Sequence, residues 1–385
     1  MNIGVFLPDS GIWFGGVNYY LRLCAMLNNS QESKVNFIIF TDLNTPSSVK
    51  KRFLALSNVS IINIQGINGT LTRLLRSLVL GRNKTVSDLI KFHRLDYVIE
   101  SGDYYGWRLS KYIISWIPDL QHVYLPANFS LAARAKRDFG FLLQRLTRNK
   151  IYLSSYDALN AFSKRYLVNS EKLHVVRFSV GSEEFKTIKQ NTVKNVCNKY
   201  RIQKKFIYFP GQFWTHKNHS LLIEALSVIK QENLNLEFQL VCSGNTKDYR
   251  KPSHFIDLQK KIESHGLTES DILLLGQIPF NDVQALMVGA SAVINPSLFE
   301  GWSTTVEEAR SLGKILILSN LPIHIEQGTE NTYYFESESE ISLSNTLLEF
   351  QADMKEASEN DLFSPSKIGS AQKRFYDDFT NLLES

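Results

Sequence analysis

Cysteine is scarce: Cys24, Cys197 and Cys242 are the three in 385 residues, an odd number, far apart and in no metal-ligand spacing. That excludes a disulfide framework or a cysteine-held zinc and reads as reduced thiols in a cytosolic protein. No run approaches the roughly 18 apolar residues that cross a bilayer. The opening Asn2-Ile3-Gly4-Val5-Phe6-Leu7 reads as a first strand rather than a basic-then-apolar leader, so no secretory signal is expected. Short repeats, low-complexity tracts and the Gly-x-Gly-x-x-Gly fingerprint are all missing, which argues against a nicotinamide-dependent dehydrogenase.

What is present describes a folded chain. Hydrophobic residues make up 43% and charged residues 21%, which is ordinary for a globular protein and excludes global disorder. The length favours two domains over one. Net charge is +5, but residues 1–180 hold 23 Lys and Arg against 11 Asp and Glu, and residues 181–385 hold 20 against 27. A basic half joined to an acidic half does not suit nucleic-acid binding along the whole molecule; it suits one half meeting an anionic surface.

Short apolar runs alternate with longer segments of helical period, the pattern of βαβ units and parallel sheets. Strands are predicted at 3–7, 35–40, 59–64, 97–100, 113–117, 151–154 and 173–178, with helices at 16–28, 47–56, 70–80, 86–93, 130–148 and 156–168. The pattern lapses in the polar stretch 181–205. It restarts with strands at 206–210, 236–242, 272–275, 292–295 and 315–319 and helices near 219–231, 253–265, 281–289 and 304–312. The expected organisation is an α/β chain of two doubly wound domains, 1–185 and 206–364, with 186–205 as linker and a closing helix within 365–385.

The most informative segment is Asn295-Pro-Ser-Leu-Phe-Glu300-Gly-Trp-Ser-Thr-Thr-Val-Glu-Glu308. A buried strand runs into a turn holding Glu300 and Gly301, and a helix starts near Thr304 with Ser303 or Thr304 as N-cap. In open α/β sheets ligands bind beyond the carboxyl ends of strands, and backbone N–H groups at a helix start suit a phosphate. Carboxylates accept from sugar hydroxyls; equally, Glu307 and Glu308 are residues that favour an early helix turn. A second segment, Phe209-Pro-Gly211-Gln212-Phe-Trp-Thr-His216-Lys217-Asn-His219, places a glycine turn after a strand and a lysine before a helix, where it can neutralise a diphosphate. In the first half, Gly15-Gly16 precede a helix, and Ile117-Pro118-Asp119-Leu120-Gln121-His122 follow a strand.

The Glu300 segment resembles the signature of retaining glycosyltransferase family 4, the group 1 transferases. The resemblance covers about 1–20, 110–180 and 206–327, and the cast of motifs looks most like bacterial transferases of surface-polysaccharide assembly. It implies the GT-B fold, two Rossmann-like domains facing across a cleft, the first binding acceptor, the second nucleotide-sugar, with the C-terminal helix returning to the first. By that resemblance Glu300 holds hydroxyls of the donor sugar, Glu308 the ribose and Lys217 the leaving diphosphate. Gly15, Gly16, Gly211, Gln212, Ser243, Gly244, Ile278, Gly301, Trp302, Ser303, Thr304 and Thr305 surround the donor, and Asp119 and His122 join Glu300 and Lys217 as catalytic candidates. Three positions depart from the pattern: Gln212 stands where relatives carry an arginine, with His216 or Arg177 as other sources of leaving-group stabilisation, Pro118 where many have a histidine, and Ser303 where many have a second glycine.

The activity implied is transfer of a hexose, mannose favoured, with retention, to a glycan or undecaprenyl-linked oligosaccharide of O-antigen, lipopolysaccharide or capsule. No cofactor is expected beyond the donor. No metal is expected either, since no Asp-x-Asp pair occurs. The rivals are a sugar-nucleotide epimerase of the same architecture and a catalytically decayed sugar-nucleotide- or membrane-binding protein. No nucleic-acid partner is expected. Location is cytoplasmic, with peripheral contact to anionic membrane suggested by Leu71, Leu74, Leu75, Leu78 and Val79 beside Arg73, Arg76, Arg82 and Lys84. Arg134, Lys136, Arg137, Arg145, Arg148 and Lys150 lie in the same half.

Overall fold

The computed structural model describes residues 1–8, 14–30, 34–64, 71–181, 185, 187–356 and 368–385, without the side chains of 14, 71–73, 356 and 368–370. The chain divides into two compact units, Met1–Ser179 with Gln372–Ser385, and Val180–Ala371.

The first unit holds strands β1 (Asn2–Phe6), β2 (Asn36–Thr41), β3 (Val59–Asn63), β4 (Tyr97–Glu100), β5 (Ile113–Ile117), β6 (Lys150–Leu153) and β7 (Leu173–Val175). They pair in the order β3-β2-β1-β4-β5-β6-β7, every pair parallel. Central strands of such a sheet are covered on both faces and read as unbroken apolar runs; Ile113–Ile117 is buried at every position. One apolar cluster gathers Phe40, Val98 and Ile113, another Ile117, Leu153 and Phe162. The last helix, Ile368–Glu384, belongs to this unit from Gln372 onward. It buries Phe375, Phe379 and Leu382, Asp378 takes a two-point ion pair from Arg177 (2.9 and 3.0 Å), and Lys150 Nζ donates to the carbonyls of Leu382 and Leu383 at 2.9 and 2.8 Å.

The second unit holds β8 (Lys205–Pro210), β9 (Phe238–Ser243), β10 (Ile272–Leu274), β11 (Ala292–Asn295), β12 (Ile315–Ser319) and β13 (Thr332–Phe335). Their order is β10-β9-β8-β11-β12-β13, again all parallel. Its core runs from Phe209 and Phe213 through Leu222, Ile294 and Ile317 to Phe350. Winding reverses between β8 and β11, so loops leaving their carboxyl ends flank a ready crevice.

Several expectations change. The stretch 186–205, read as linker, contains the helix Gln190–Lys199. It buries only Val193 and Val196 and is pinned where Lys199 Nζ and the Tyr200 hydroxyl both donate to Asp282 at 2.7 Å. Two apolar contacts in ten residues leave too faint a period to read. Strand β13 and the helices Pro322–Gln327 and Glu340–Glu356 were not anticipated, and β7 stops three residues short of the predicted run. Arg148, one of the basic residues noted in the same half as the suggested membrane contact, is fully buried against Glu100, and Lys150 is occupied by the last helix. Of the apolar face foreseen on helix Leu71–Leu80, Leu75 and Val79 are exposed and Leu74 and Leu78 half-buried. The Leu71 and Arg73 side chains lie outside the described residues.

Candidate active site

The loop after β8 is built backbone first. Gly211 N donates to the Ser243 carbonyl (2.9 Å), Phe213 N to the Asn245 carbonyl (3.0 Å) and Gly244 N to the Gly276 carbonyl (2.8 Å), so the loops leaving β8, β9 and β10 are stitched side by side. A Cβ on Gly244 would collide with the Gly211 carbonyl and Gln212 Cα; only glycine lets these backbones approach so closely. Ser243 is buried, with its Oγ 2.5 Å from the Tyr208 hydroxyl. Asp248, buried, accepts from Thr215 N at 3.0 Å and fixes the short turn Thr215–Lys217. Asn218, in the left-handed conformation (φ 55°), redirects the chain into the helix His219–Gln231.

That turn delivers Lys217 to Glu300. Lys217 Nζ donates to Glu300 Oε1 at 2.6 Å, and the same oxygen accepts from Asn295 Nδ2 (3.2 Å) and Ser297 Oγ (2.8 Å). Burial pushes the Glu300 carboxyl up, but the charge of the Lys217 ammonium, the nearby His324 and the hydrogen bond from Lys217 outweigh it and hold the pKa at about 2. Glu300 is therefore ionised at neutral pH. His216 is buried and pushed down to about 3 by burial and by Lys217. His219, buried between Phe209 and Phe213, is pushed well below its ordinary value by burial. Both stay neutral, so His216 supplies no charge and Lys217 is the cation of its loop.

The helix Thr304–Ser311 starts beside this pair. Ser303 is its N-cap, accepting from Val306 N at 3.4 Å and from Asn295 Nδ2 at 2.9 Å. Thr305 Oγ1 donates to the Pro210 carbonyl at 2.9 Å, tying the helix start to the end of β8. Of the paired acids, Glu307 points into the protein, held by Arg310 (2.6 Å) and Gln327 (3.0 Å). Glu308 is half-buried and near enough to Tyr208 to reinforce, after burial, the upward push on its phenol. Gly301, Trp302 and Ile278 are half-buried and Thr304 is exposed.

Residues the sequence did not single out complete the arrangement. Gln327, fully buried, pairs its side-chain amide with both backbone groups of Ser303, accepting from N and donating to O at 3.0 Å each. Ser319 Oγ donates to the Ser297 carbonyl at 2.7 Å. His324 Nδ1 lies 2.9 Å from the Ser319 carbonyl, and burial pushes this histidine down to about 4 against the pull of Glu300. The legible signal was polar residues ending strands: Asn295 closes β11 and Ser319 closes β12. Arg250 also approaches, its Nη2 lying 3.4 Å from His216 Nδ1 and its guanidinium over Trp214.

The remaining candidates sit in the first unit. Gly15 and Gly16 form the opening turn of helix Phe14–Asn29. Asp119 accepts from Gln121 N (3.0 Å) and Arg137 (3.3 Å). His122 is buried against Phe129 and Phe141, its Nε2 3.3 Å from Asp138 and 3.4 Å from the Tyr166 hydroxyl. Burial lowers its pKa against the pull of Asp138. Arg177 is committed to Asp378. Among the described residues no group of three or more His, Cys, Asp or Glu is placed to hold a metal, and no helix is long and apolar enough to cross a membrane.

Residues 195–360 match the model of the family of glycosyl transferases group 1. That match lies wholly within the second unit. Over 232 residues, 59% of this chain and 57% of its relative, the sequence is 26% identical to the O-antigen chain mannosyltransferase RfbU of Salmonella typhimurium. Over 156 residues, 40% of the chain and 18% of the relative, it is 26% identical to the serotype-specific mannosyltransferase WbdA of Escherichia coli. The chain thus spans little more than half the length of the first relative and under a fifth of the second. Among solved structures, HepE from Anabaena in complex with UDP and glucose superposes with a TM-score of 0.71 at 15% identity, covering 100% of this chain and 98% of that one. WaaG, a glycosyltransferase involved in lipopolysaccharide biosynthesis, superposes at 0.61 and 15% identity, covering 98% and 95%. At such identity these show the fold, the two-domain α/β architecture expected from the sequence. The stretch that matches the family model contains every element of the Lys217–Glu300 site.

Proposed function

We propose that the protein is a glycosyltransferase that moves a hexose, mannose first among candidates, from a nucleoside diphosphate sugar to a glycan or lipid-linked oligosaccharide of bacterial surface polysaccharide. The carrying observation is the Lys217–Glu300 pair beside the β8–β11 reversal, with the Ser303-capped helix start next to it. Glu300 Oε1 already accepts three hydrogen bonds, and its second oxygen is the natural acceptor for donor-sugar hydroxyls. Lys217 and the helix start supply positive potential where a diphosphate departs. Half-buried Glu308 has the chemistry to take the ribose.

In this reading the anomeric configuration is retained and no metal takes part. The protein holds donor and acceptor aligned and stabilises the leaving diphosphate, which takes up the acceptor's proton. The names of RfbU and WbdA support mannose and O-antigen; the UDP and glucose held by HepE support a nucleotide-sugar donor. Membrane-linked acceptor places the protein at the inner face of the cytoplasmic membrane. A thermal-shift screen of GDP-, UDP- and dTDP-sugars tests the donor, since a ligand that binds only the folded state raises the midpoint. Absence of a shift with all three classes, together with no transfer to lipid-linked acceptor, overturns the proposal.

A further inference from the structure

Helix Leu131–Thr147 carries its outward face in an unusual form. Leu131, Phe139, Leu142 and Leu146 are 79%, 48%, 39% and 61% exposed, and with exposed Ala135 they recur every third or fourth residue, so they form one continuous stripe. The opposite face is anchored by buried Gln144, and Asp138, at the edge of the stripe by helical phase, is tied to His122, Arg165 and Tyr166. Isolated apolar residues at a surface are normal, but a ridge of five along four turns is not.

Cations border the ridge. Arg134 and Arg145 lie along one edge and Lys136 along the other by helical phase, and Asp138, the single acid of the helix, is committed to Arg165. A second apolar surface adjoins it. The helix Leu71–Leu80 ends in exposed Val79 and Leu80, followed by exposed Arg82. Its end meets the end of helix Leu131–Thr147 at one place: Arg108 N donates to the Gly81 carbonyl (2.7 Å), and Arg148 Nη1 donates to the Gly106 carbonyl (3.0 Å). Trp107, 48% exposed, lies between them in sequence and packs against Gly81.

We propose that this ridge, continued by Trp107 and the end of helix Leu71–Leu80, is the surface by which the protein lies on a membrane bearing anionic lipid. Apolar side chains enter the headgroup boundary while flanking Arg and Lys meet the lipid phosphates. The excess of basic residues in 1–180 favours this occupant over an acid-neutral protein surface. The inference deepens the reading of a lipid-linked acceptor, which supplies its purpose, but its evidence is independent of donor chemistry.

The test uses the full chain and sedimentation with vesicles of phosphatidylcholine alone or mixed with phosphatidylglycerol. Binding is expected to the mixed vesicles and to weaken with salt. Leu142→Glu with Leu146→Glu should lower it about tenfold or more, and Arg134→Gln with Lys136→Gln about fivefold for each cation. The thermal midpoint and transfer to a soluble acceptor should stay as in the wild type. Failure of the wild type to bind the mixed vesicles, or equal binding by both variants, overturns the proposal. So does concentration-dependent association of the wild type, abolished by the Leu variants without vesicle binding, since the ridge is then a contact between copies. Vesicle binding without any nucleotide-sugar response leaves this surface standing and removes the transferase reading.

Discussion

Lys217 and Glu300 leave different strands of one sheet, 83 residues apart in sequence, and meet at 2.6 Å. Substitution of either should act on turnover: Lys217→Ala and Glu300→Ala each reduce it by roughly 10²–10³, the scale of losing one preorganised charged group. Steady-state kinetics with a saturating acceptor measures this. Unchanged kinetics in both variants, with circular dichroism intact, removes the pair from the site.

The same pair leaves a signature in acid. The folded-state pKa of Glu300 is about 2, below its ordinary 4.5. Its contribution to stability is therefore fully present above about pH 4.5 and lost as pH falls towards 2. Lys217→Met strips the carboxylate of its cation and leaves burial to raise its pKa. The variant should lose most stability relative to wild type near neutral pH and converge with it in acid, as followed by thermal midpoint from pH 7 to 3.

His324 titrates in the opposite chemical sense with the same direction of loss. Its folded pKa of about 4 lies below the ordinary 6.5, so unfolded chains take up the proton first. The stability it contributes is complete above pH 6.5 and drains away as pH falls towards 4. His324→Asn keeps a donor for the Ser319 carbonyl and removes this proton uptake. Its midpoint should decline less steeply than the wild type's between pH 6.5 and 4.

Gln327 holds the Glu300 turn without touching the carboxylate. Gln327→Ala leaves Ser303 N without its partner in a buried place, at about 1–3 kcal/mol for the unmade bond, while Ser303 O keeps only the bond from Glu307 N (3.1 Å). The Michaelis constant for donor should rise about tenfold, beyond any fall in turnover, because the helix start that would receive phosphate is no longer fixed. An unchanged Michaelis constant with a lowered midpoint would make Gln327 a packing residue only.

Glu100 and Arg148 form a fully buried two-point pair, at 2.9 and 2.7 Å, with Ser115 Oγ and Tyr105 N also donating to the carboxylate. Removing one partner strands a charge and should cost about 3–5 kcal/mol. Glu100→Gln combined with Arg148→Met should cost clearly less than the two single changes added together. Denaturant melts of all four proteins give the coupling; strict additivity would deny it.

The fold was legible where one signal dominated. Buried strands such as Ile113–Ile117 and Ala292–Asn295 announce themselves as apolar runs, and the helix His219–Gln231 buries eight of its thirteen residues. Strand β13 hides because only Phe335 of Thr332–Phe335 is fully buried, and Gln190–Lys199 because two valines carry its contact. At the site, the two loops were visible as glycine turns after strands. That Lys217 touches Glu300 was not, because the contact depends on which strands are neighbours. Gln327 and His324 were invisible for the same reason: they come from a six-residue helix without a readable period.

The first unit is discontinuous in sequence, for Gln372–Ser385 completes it after the whole second unit has been made. Phe375 and Phe379 cover Tyr19, Phe178 and Tyr152, and Lys150 caps the final carbonyls. During synthesis those aromatic rings stay uncovered until the ribosome has passed residue 379, so the half translated first is the last to close. A stop codon a few residues upstream of that point would unseal the first unit while sparing the second, Val180–Ala371.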